Sequence, residues 1–202
     1  TEEQIKEVQT LIEQGFVDKV AIIPDHLTYQ ELEPEMAKGY VETYQGSNFQ
    51  EDKGFQELDK LEQVKQPTYR LIFYKKTQGL DSDKRLKETK GKSPDKMDEE
   101  LKQINKQYST DIQGISLKDY LIIQREFVET TNTDKDIQDK SRHMESGSSD
   151  VTWCLKSRFK KSGRVVNAYW NPGYHMLDAD ADDASGSSSC IGSRLSRSFE
   201  VK

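Results

Sequence analysis

Residues 163–201 read GRVVNAYWNPGYHMLDADADDASGSSSCIGSRLSRSFEV and differ from the rest of the chain. The composition of this stretch is unusual, because residues 165–199 contain no Lys, Glu or Gln although 33% of the whole chain is charged. Val165 and Val166 open it as a buried strand, and residues 194–201 alternate apolar with polar side chains at the period of a strand. The Asp, Ser and Gly residues between these ends favour turns, so the middle is predicted to be a long solvent-facing loop.

This predicted loop combines aromatic side chains with small polar ones. Antibody loops have a similar composition, since Tyr and Trp provide contact area while Ser, Gly and Asn adapt their hydrogen bonds. The sequence therefore predicts a binding surface held between two strands. A Ser- and Asp-rich loop with no binding role is the alternative interpretation of the same residues.

Several segments of the C-terminal half carry a resemblance to a known family. They are SLKDYL from Ser116, VTWCL from Val151, GRV from Gly163, Trp170, and IGSRLSRSF from Ile191. Over residues 116–201 the chain resembles the variable proteins of diversity-generating retroelements. The closing Gly-x-Arg-x-Ser-Arg-x-Phe string is the most distinctive part of this resemblance.

The resemblance implies a C-terminal segment that is rewritten by reverse transcription with errors at adenines. Asparagine codons randomised in this way give Asn, Asp, Ser, Gly, Tyr, His, Cys and Ala among others, but never Lys, Glu, Gln, Met or Trp. Trp170 and Met176 are therefore expected to be fixed scaffold. The residues expected to vary and to bind ligand are Tyr169, Asn171, Gly173, Tyr174, His175, Asp178, Asp180, Asp182, Asp183, Ser185, Ser187, Ser188, Ser189 and Cys190.

The fold class that the resemblance implies is α+β, of the C-type lectin type. We expect a two-stranded and a mixed antiparallel sheet, helices packed around it, and a long irregular C-terminal loop region. The length of 202 residues suits one domain or one domain with an added piece. The predicted division is an N-terminal helical and strand extension at 1–66, which can belong to the same domain, and a C-type lectin-type domain at 67–202 with its variable region at about 164–193.

Local signals predict the elements that surround this stretch. Helices are expected where capping residues precede apolar residues at helical spacing: after Thr1 until Gly15, at 28–44, at 55–64, from Ser93-Pro94 to Tyr108, and at 117–129 after Ser116. Strands are expected at 20–24 and 68–74, and loops at 46–54 and 130–150. The residues predicted to be buried are Leu117, Tyr120, Leu121, Gln124, Val128, Trp153, Val165, Leu195 and Phe199.

Charge and hydropathy exclude two classes of protein. A net charge of -6 and a pI of about 5.3 argue against a general nucleic-acid binder, which needs a basic face. Apolar runs of only a few residues are too short to span a membrane. No charged-then-apolar leader follows Thr1, so the location stays open with the cytoplasm slightly favoured.

Carboxylates alternate at Asp178, Asp180 and Asp182, and such a pattern can indicate a calcium-binding site because carboxylate oxygens are calcium ligands. The spacing disagrees with the calcium-binding helix-loop-helix motif, because Asp183 stands where Gly is needed and Ser189 where a bidentate Glu is needed. We therefore expect solvated carboxylates and no metal ligands here. His26, His143 and His175 are scattered and lack zinc-ligand spacing.

Catalytic signals are weak. The Ser, His and Asp residues near the C-terminus lack a nucleophile elbow. The C-type lectin-type fold is also that of formylglycine-generating oxidases, but Cys154 and Cys190 stand too far apart in sequence for a close redox pair. We expect two free thiols, no cofactor and no enzyme activity.

A basic cluster precedes the predicted variable region, and it consists of Lys156, Arg158, Lys160, Lys161 and Arg164. A contact with phosphate or nucleic acid is one interpretation of this cluster. Lysines that protect a strand and its turn from edge pairing are the other.

The leading interpretation of the whole chain is a non-enzymatic, receptor-like variable protein that binds a macromolecular ligand, in the simplest case a protein. A calcium-dependent carbohydrate-binding lectin and an oxidase-like enzyme of the same fold are the alternatives. The sequence names neither the ligand nor the oligomeric state.

Overall fold

A computed structural model describes residues 1–29, 31–32, 44–45, 58, 68–75, 89, 91–129, 151–171 and 176–201. At 44–45, 125–129, 170–171 and 176–178 it describes the backbone alone. Several predicted segments lie outside these ranges: most of the helices at 28–44 and 55–64, the loops at 46–54 and 130–150, and Gly173, Tyr174 and His175.

Helices and strands alternate irregularly along the described chain. The helices are α1 (Glu2–Glu13), α2 (Pro94–Tyr108) and α3 (Leu117–Glu129). The strands are β1 (Lys19–Pro24), β2 (Tyr44–Gln45), β3 (Tyr69–Tyr74), β4 (Gln113–Gly114), β5 (Val151–Arg158), β6 (Val165–Asn171), β7 (Met176–Asp182), β8 (Ile191–Ser193) and β9 (Leu195–Val201). The predicted strands at 20–24 and 68–74 and the predicted helices beginning after Thr1, Ser93 and Ser116 are confirmed.

Two sheets organise these strands, so the α+β class is confirmed. Sheet A has four strands in the order β1-β3-β9-β4, all antiparallel. Sheet B has five strands in the order β2-β7-β6-β5-β8, in which β2 and β8 pair in parallel with their neighbours. The expected two-stranded sheet is wrong, because β1 and β4 extend the pair formed by β3 and β9 into a larger sheet.

The predicted long irregular loop between the flanking strands is also wrong. Residues 176–182 form β7, which pairs antiparallel with β6 from Val165 opposite Asp182 to Asn171 opposite Met176. Residues 191–193 form β8, which pairs with β5. The alternation of Asp with Ala in residues 178–182 is the period of a strand with one polar face, and it outweighs the preference of isolated Asp for turns.

Helix boundaries follow their capping residues. The side chain of Thr1 accepts a hydrogen bond from the Gln4 N–H, and the side chain of Gln4 accepts one from the Thr1 amine at 2.7 Å, which completes a capping box. The same helix ends at Glu13 with Gln14 as its C-cap, and the next residue, Gly15, takes the left-handed turn with a φ of 71°. Phe16 N–H then donates to the Leu11 carbonyl, as expected of a Schellman motif.

The second and third helices begin in the same way. The Ser93 side chain accepts from the Lys96 N–H, and Pro94 occupies the first turn of α2. Ser116 and Asp119 form a reciprocal pair at the start of α3, because each backbone N–H donates to the other's side chain. These contacts satisfy N–H groups that the helix itself leaves unpaired.

Sheet B lies between two cores. On one side, Cys154, Val166 and Ala168 pack with the buried face of α3 and with the inner face of sheet A. On the other side, Trp153 and Val165 pack with the following residues of α1, α2 and the connecting segments: Leu11, Phe16, Val17, Met97, Leu101 and Ile112. Successive residues of β5 and β6 therefore point into different cores, as the pleat requires.

Burial agrees with most of the sequence predictions. Leu117, Tyr120, Leu121 and Gln124 of α3 are buried, as are Trp153, Val165 and Leu195. Phe199 is the exception: it is half-buried on the outer face of sheet A, next to Phe73 and below the Arg197 guanidinium. The placement of the last strand is confirmed, but the predicted burial of Phe199 is wrong. The side chain of Val128 lies outside the described residues.

The ranges 1–66 and 67–202 share one sheet. Strand β1 pairs with β3 over Lys19–Pro24, and β3 pairs in turn with the C-terminal strand β9. An ion pair also joins helix α1 to β9, because Arg197 donates to both carboxylate oxygens of Glu7, at 2.7 and 3.2 Å. The N-terminal segment therefore contributes directly to the layer that carries the C-terminus.

A cluster of charged side chains joins sheet A to α3. The Arg70 guanidinium donates to Asp25 at 2.6 Å and to Asp119 at 2.7 Å. The Asp119 side chain is fully buried, and Arg70 is mostly buried. Burial alone would raise the pKa of Asp119, but Arg70, Lys156 and the Ser116 N–H together hold it below its usual range. The carboxylate is therefore charged and fully paired inside the protein.

We predict that Trp153→Ala lowers the free energy of unfolding by about 3 to 5 kcal/mol, because a large buried side chain leaves a cavity. Trp153 is 1% exposed and lies in the core between sheet B and α2. The half-buried Phe199→Ala is the matched control and should cost about 1 kcal/mol. Urea unfolding of the three proteins measures both values, and equal costs would contradict this assignment of the core.

We predict that Asp119→Asn lowers the free energy of unfolding by about 3 to 5 kcal/mol near neutral pH, because Arg70 loses a buried charged partner. The folded pKa of Asp119 lies below the unfolded value, so its contribution is present above about pH 4 and is lost as pH falls through the folded pKa. Urea unfolding at about pH 7 and about pH 3 measures the difference between wild type and variant.

The control for this experiment is Asp98→Asn, which removes an ion pair with Arg158 at the surface. This exposed pair should contribute no more than about 1 kcal/mol. A cost of Asp119→Asn that stays constant between neutral and acid pH would show that the carboxylate charge has no part in stability.

Candidate functional site

The candidate site is one face of the β6–β7 pair. Along β7, Ala179 and Ala181 are buried on the side of α3, while Asp180 is half-buried and Asp182 exposed on the other side. Side chains that alternate along a strand point to opposite faces. The strand therefore separates a small apolar core face from an acidic outer face.

The paired strand β6 lies beside this outer face. Asn167 stands opposite Asp180, and directly opposed residues of an antiparallel pair share a face. Asn167 is 6% exposed, and its amide donates to Asp182 Oδ2 at 2.9 Å. This hydrogen bond fixes the carboxylate nearest the end of β7.

A compact turn follows β7 and continues the polar surface. The Asp183 carboxylate accepts from the backbone N–H of Ser185 at 2.9 Å and from its hydroxyl at 2.7 Å. These hydrogen bonds lower the pKa of Asp183. Burial raises this pKa slightly, and the more distant Arg164 lowers it slightly. The next carbonyl, that of Ala184, accepts from the Asp95 N–H in the first turn of α2. The turn is therefore held by its own side chains and by α2.

The structure brings many of the predicted site residues together but gives them different exposure. The exposed residues are Asp182, Asp183, Ser185, Ser187 and Ser189. Half-buried are Tyr169, Asp180, Ser188 and Cys190, of which Tyr169 and Cys190 pack against the core on the α2 side. The side chains of Asn171 and Asp178 lie outside the described residues, as do Gly173, Tyr174 and His175.

This exposure corrects one part of the sequence prediction. Tyr169 was expected to be a solvent-facing contact residue, but it contributes to the packing below the turn. The reason is its position on β6, where Tyr169 shares a face with the buried Val165 and Asn167, and this face packs on the α2 side. For Tyr169 and Cys190 a substitution therefore affects packing as well as the surface.

The cysteines do not pair. Cys154 is buried on the α3 side of sheet B, and Cys190 packs on the α2 side, where its sulfur lies 2.9 Å from the Ser188 hydroxyl. A sheet separates the two thiols, and bridged cysteines need α-carbons within about 7 Å. The expectation of two free thiols is confirmed.

The basic cluster of the sequence is divided by the structure. Arg158 ends β5 and forms ion pairs with Asp95 and Asp98 of α2. Lys160 and Lys161 are exposed on the turn between β5 and β6, which Gly163 closes with a φ of 72°. Lys156 instead lines a cleft beside α3. These residues therefore do not form one basic surface.

The sequence reasoning missed the strand and the charged cluster that lie around the site. The alternation of residues 178–182 was a usable signal for β7, but the composition of the segment was given more weight. No short-range signal could have found the cluster, because Asp25, Arg70, Asp119 and Lys156 come from four distant parts of the chain.

The geometry of β7 bears on the calcium interpretation. Alternate residues of a strand are separated by about 6.6 Å along its axis, whereas calcium ligands lie about 2.3 to 2.6 Å from the ion. Three carboxylates on one straight strand cannot all reach one ion. Across the described part of the chain, no three His, Cys, Asp or Glu side chains gather in a way that could hold a metal.

We therefore predict that calcium does not stabilise the protein. A site that bound calcium in the folded state alone would add about 2.7 kcal/mol at a concentration of 100 times its Kd. Thermal unfolding with calcium chloride, with magnesium chloride at the same concentration as the control, should give equal melting temperatures. A rise with calcium alone would contradict this prediction and favour the lectin alternative.

No helix within the described residues is both long and apolar enough to cross a bilayer. Comparison of the chain with protein-family models, with curated proteins and with solved structures gave no match. Function is therefore inferred from the surface formed by β7 and the turn that follows it.

Proposed function

We propose that the protein is a receptor-like variable protein whose C-terminal surface binds a macromolecular ligand, in the simplest case another protein. The binding surface consists of Asp180 and Asp182 on β7 together with the exposed residues of the turn 183–190, and we call this surface the outer face. On this proposal the exposed residues of the outer face differ between copies of the protein, and the residues beneath them stay fixed. No bond to the ligand is made or broken.

One observation carries the proposal, namely the division of β7 between two faces. Ala179 and Ala181 are 2% and 0% exposed, and neither was among the residues expected to vary. Asp180 and Asp182 are among the residues expected to vary, and they lie on the other face. A strand of this kind can accept many side chains outside while its core contacts remain the same.

Backbone pairing supports the same conclusion. All seven residues of strand β7 stand opposite residues of β6, and the hydrogen bonds of this pairing are made by main-chain groups. Their energy depends little on the outward side chain. Exposed substitutions elsewhere usually change stability by no more than about 0.5 kcal/mol, so the outer face can vary while the fold is retained.

The composition of the outer face suits adaptable recognition. Ser185, Ser187 and Ser189 supply exposed hydroxyl groups that both donate and accept hydrogen bonds. Asp182 and Asp183 add acceptors with a negative charge. Short polar side chains of this kind lose little rotamer freedom when a ligand orders them. Aromatic anchors would be added by variation, as in antibody loops.

We predict that a library randomised at Asp180, Asp182, Ser185 and Ser187 remains folded in most of its members. The matched control library is randomised at Val166, Ala168, Ala179 and Ala181, which are buried, and most of its members should unfold because cavities and overpacking cost about 1 to 5 kcal/mol each. Protease resistance of displayed library members measures the folded fraction. Equal loss of folding in both libraries would contradict the proposal.

The first library also tests binding. Selection against a soluble test protein such as lysozyme should yield members that bind it, with affinity that is lost when the selected residues are returned to the starting sequence. The DNA beside the gene gives an independent test, since the proposal requires a near-copy of the codons for about 164–193 that differs at adenines, together with a reverse-transcriptase gene. Absence of the near-copy from the complete genome would exclude a retroelement origin of the surface.

A further inference from the structure

A second polar site lies away from the outer face, in a cleft of about 320 Å³ beside the start of α3. Its walls are formed by Arg70 of β3, Lys156 of β5 and Ser198 of β9, and by the first residues of α3 with Asp25 beyond them. Pockets for small molecules begin at about 300 Å³. The cleft therefore has room for a small organic molecule.

The charges around this cleft do not balance. Its lining holds three cations, Arg70, Lys118 and Lys156, but only two carboxylates, Asp25 and Asp119, which leaves one positive charge in excess. Arg70 is hydrogen-bonded to both carboxylates. Within the lining of the cleft, the cations thus outnumber the carboxylates by one.

Lys118 and Lys156 differ in how their ammonium groups are placed. Lys118 donates to the Asp25 carbonyl at 3.3 Å and lies over the Tyr29 ring, 5.5 Å from its centre. Among the described residues no carboxylate forms an ion pair with Lys156, and Asp119, Asp111 and Asp25 act on it only as charges at longer range. The excess positive charge therefore belongs to Lys156.

Hydrogen-bond donors surround the same space. The Ser116 oxygen accepts from the Asp119 N–H at 3.0 Å, which leaves its O–H free to donate toward the cleft. Ser198 adds a second hydroxyl from β9. The cleft therefore offers a cation and two hydroxyl donors, which is the recognition chemistry of an oxyanion.

We propose that this cleft binds the carboxylate group of a small organic acid, with Lys156 as its counter-ion and the Ser116 and Ser198 hydroxyls as hydrogen-bond donors. One monovalent anion cancels the excess charge. A phosphate dianion would exceed it and would be repelled by Asp25 and Asp119. Arg70 positions the wall of the cleft, because two of its N–H groups hold the carboxylates of Asp25 and Asp119.

The state of Lys156 supports this assignment. Burial lowers the pKa of its ammonium group, Asp119 opposes that effect, and the nearby Arg70 lowers the pKa further. A carboxylate bound in the cleft would stabilise the charged form and raise this pKa. A bound anion would also make the Lys156 amine less reactive toward acylating reagents, since the neutral amine is the nucleophile.

The test uses the wild-type chain and sodium acetate as the probe. Lysines are labelled briefly with an acetylating reagent carrying a heavy isotope, in acetate or in sodium chloride of equal ionic strength, and the labelled peptides are measured by mass spectrometry. Acetate at ten times its Kd should reduce the acetylation rate of Lys156 by about tenfold, because only about a tenth of the sites then remain free. The exposed Lys160 on the next turn is the internal reference and should react equally in both salts.

Three results would overturn the proposal: equal labelling of Lys156 in acetate and chloride, equal protection of Lys160, and stronger protection of Lys156 by inorganic phosphate than by acetate. Calorimetry then compares Lys156→Gln with Lys160→Gln, and acetate affinity should fall at least tenfold in the first and stay unchanged in the second. If Lys156→Gln does not fold, the labelling of the wild type still decides the question.

Discussion

Strands β5 and β6 are buried on both faces, and this double burial restricts the residues that every neighbouring element can present to them. Trp153 and Cys154 are neighbours on β5, yet they belong to different cores, and Val165 and Val166 divide in the same way on β6. A strand that is covered on both sides must be apolar or fully hydrogen-bonded at every position. This requirement explains why Thr152, Ser157 and Asn167 are the small or amide-bearing polar residues found in these strands.

The charged cluster of Asp25, Arg70, Asp119 and Lys156 lies where the buried face of sheet A meets the start of α3. It supplies hydrogen-bond partners and counter-charges at that junction. Two helical N–H groups there need acceptors, and the Ser116 and Asp119 side chains provide them. A buried carboxylate without a cation would cost several kcal/mol, and Arg70 supplies that cation from the neighbouring strand. The cap of α3 and the pairing of β3 are thus linked by one residue, which fixes the position of the helix on the sheet.

Sequence reasoning succeeded where the signal was local. The caps at Thr1, Ser93 and Ser116 each depend on residues within four positions, and the helices begin there. It failed at β7, since a strand whose outer residues are Asp and whose inner residues are Ala has neither the bulk nor the branching that strands usually show. Only the pairing of β7 with β6 makes such a sequence extended, and pairing is a long-range property. The half-burial of Phe199 was missed for a related reason, because alternation indicates that a face is apolar but does not say how completely another element covers it.

The placement of the proposed variable residues on a paired strand and a braced turn has a consequence for binding. A free loop loses backbone entropy when it meets a ligand, at roughly 1 to 2 kcal/mol for each residue that becomes ordered. Strand β7 has already lost that freedom through its hydrogen bonds to β6, and the turn is fixed by Asp183 and by the Asp95 N–H. Side chains on such a framework begin from a preorganised backbone, so more of each contact appears as affinity. The small alanines beneath them matter for the same reason, because Ala179 and Ala181 let β7 lie close on the core without relying on the side chains that face outward.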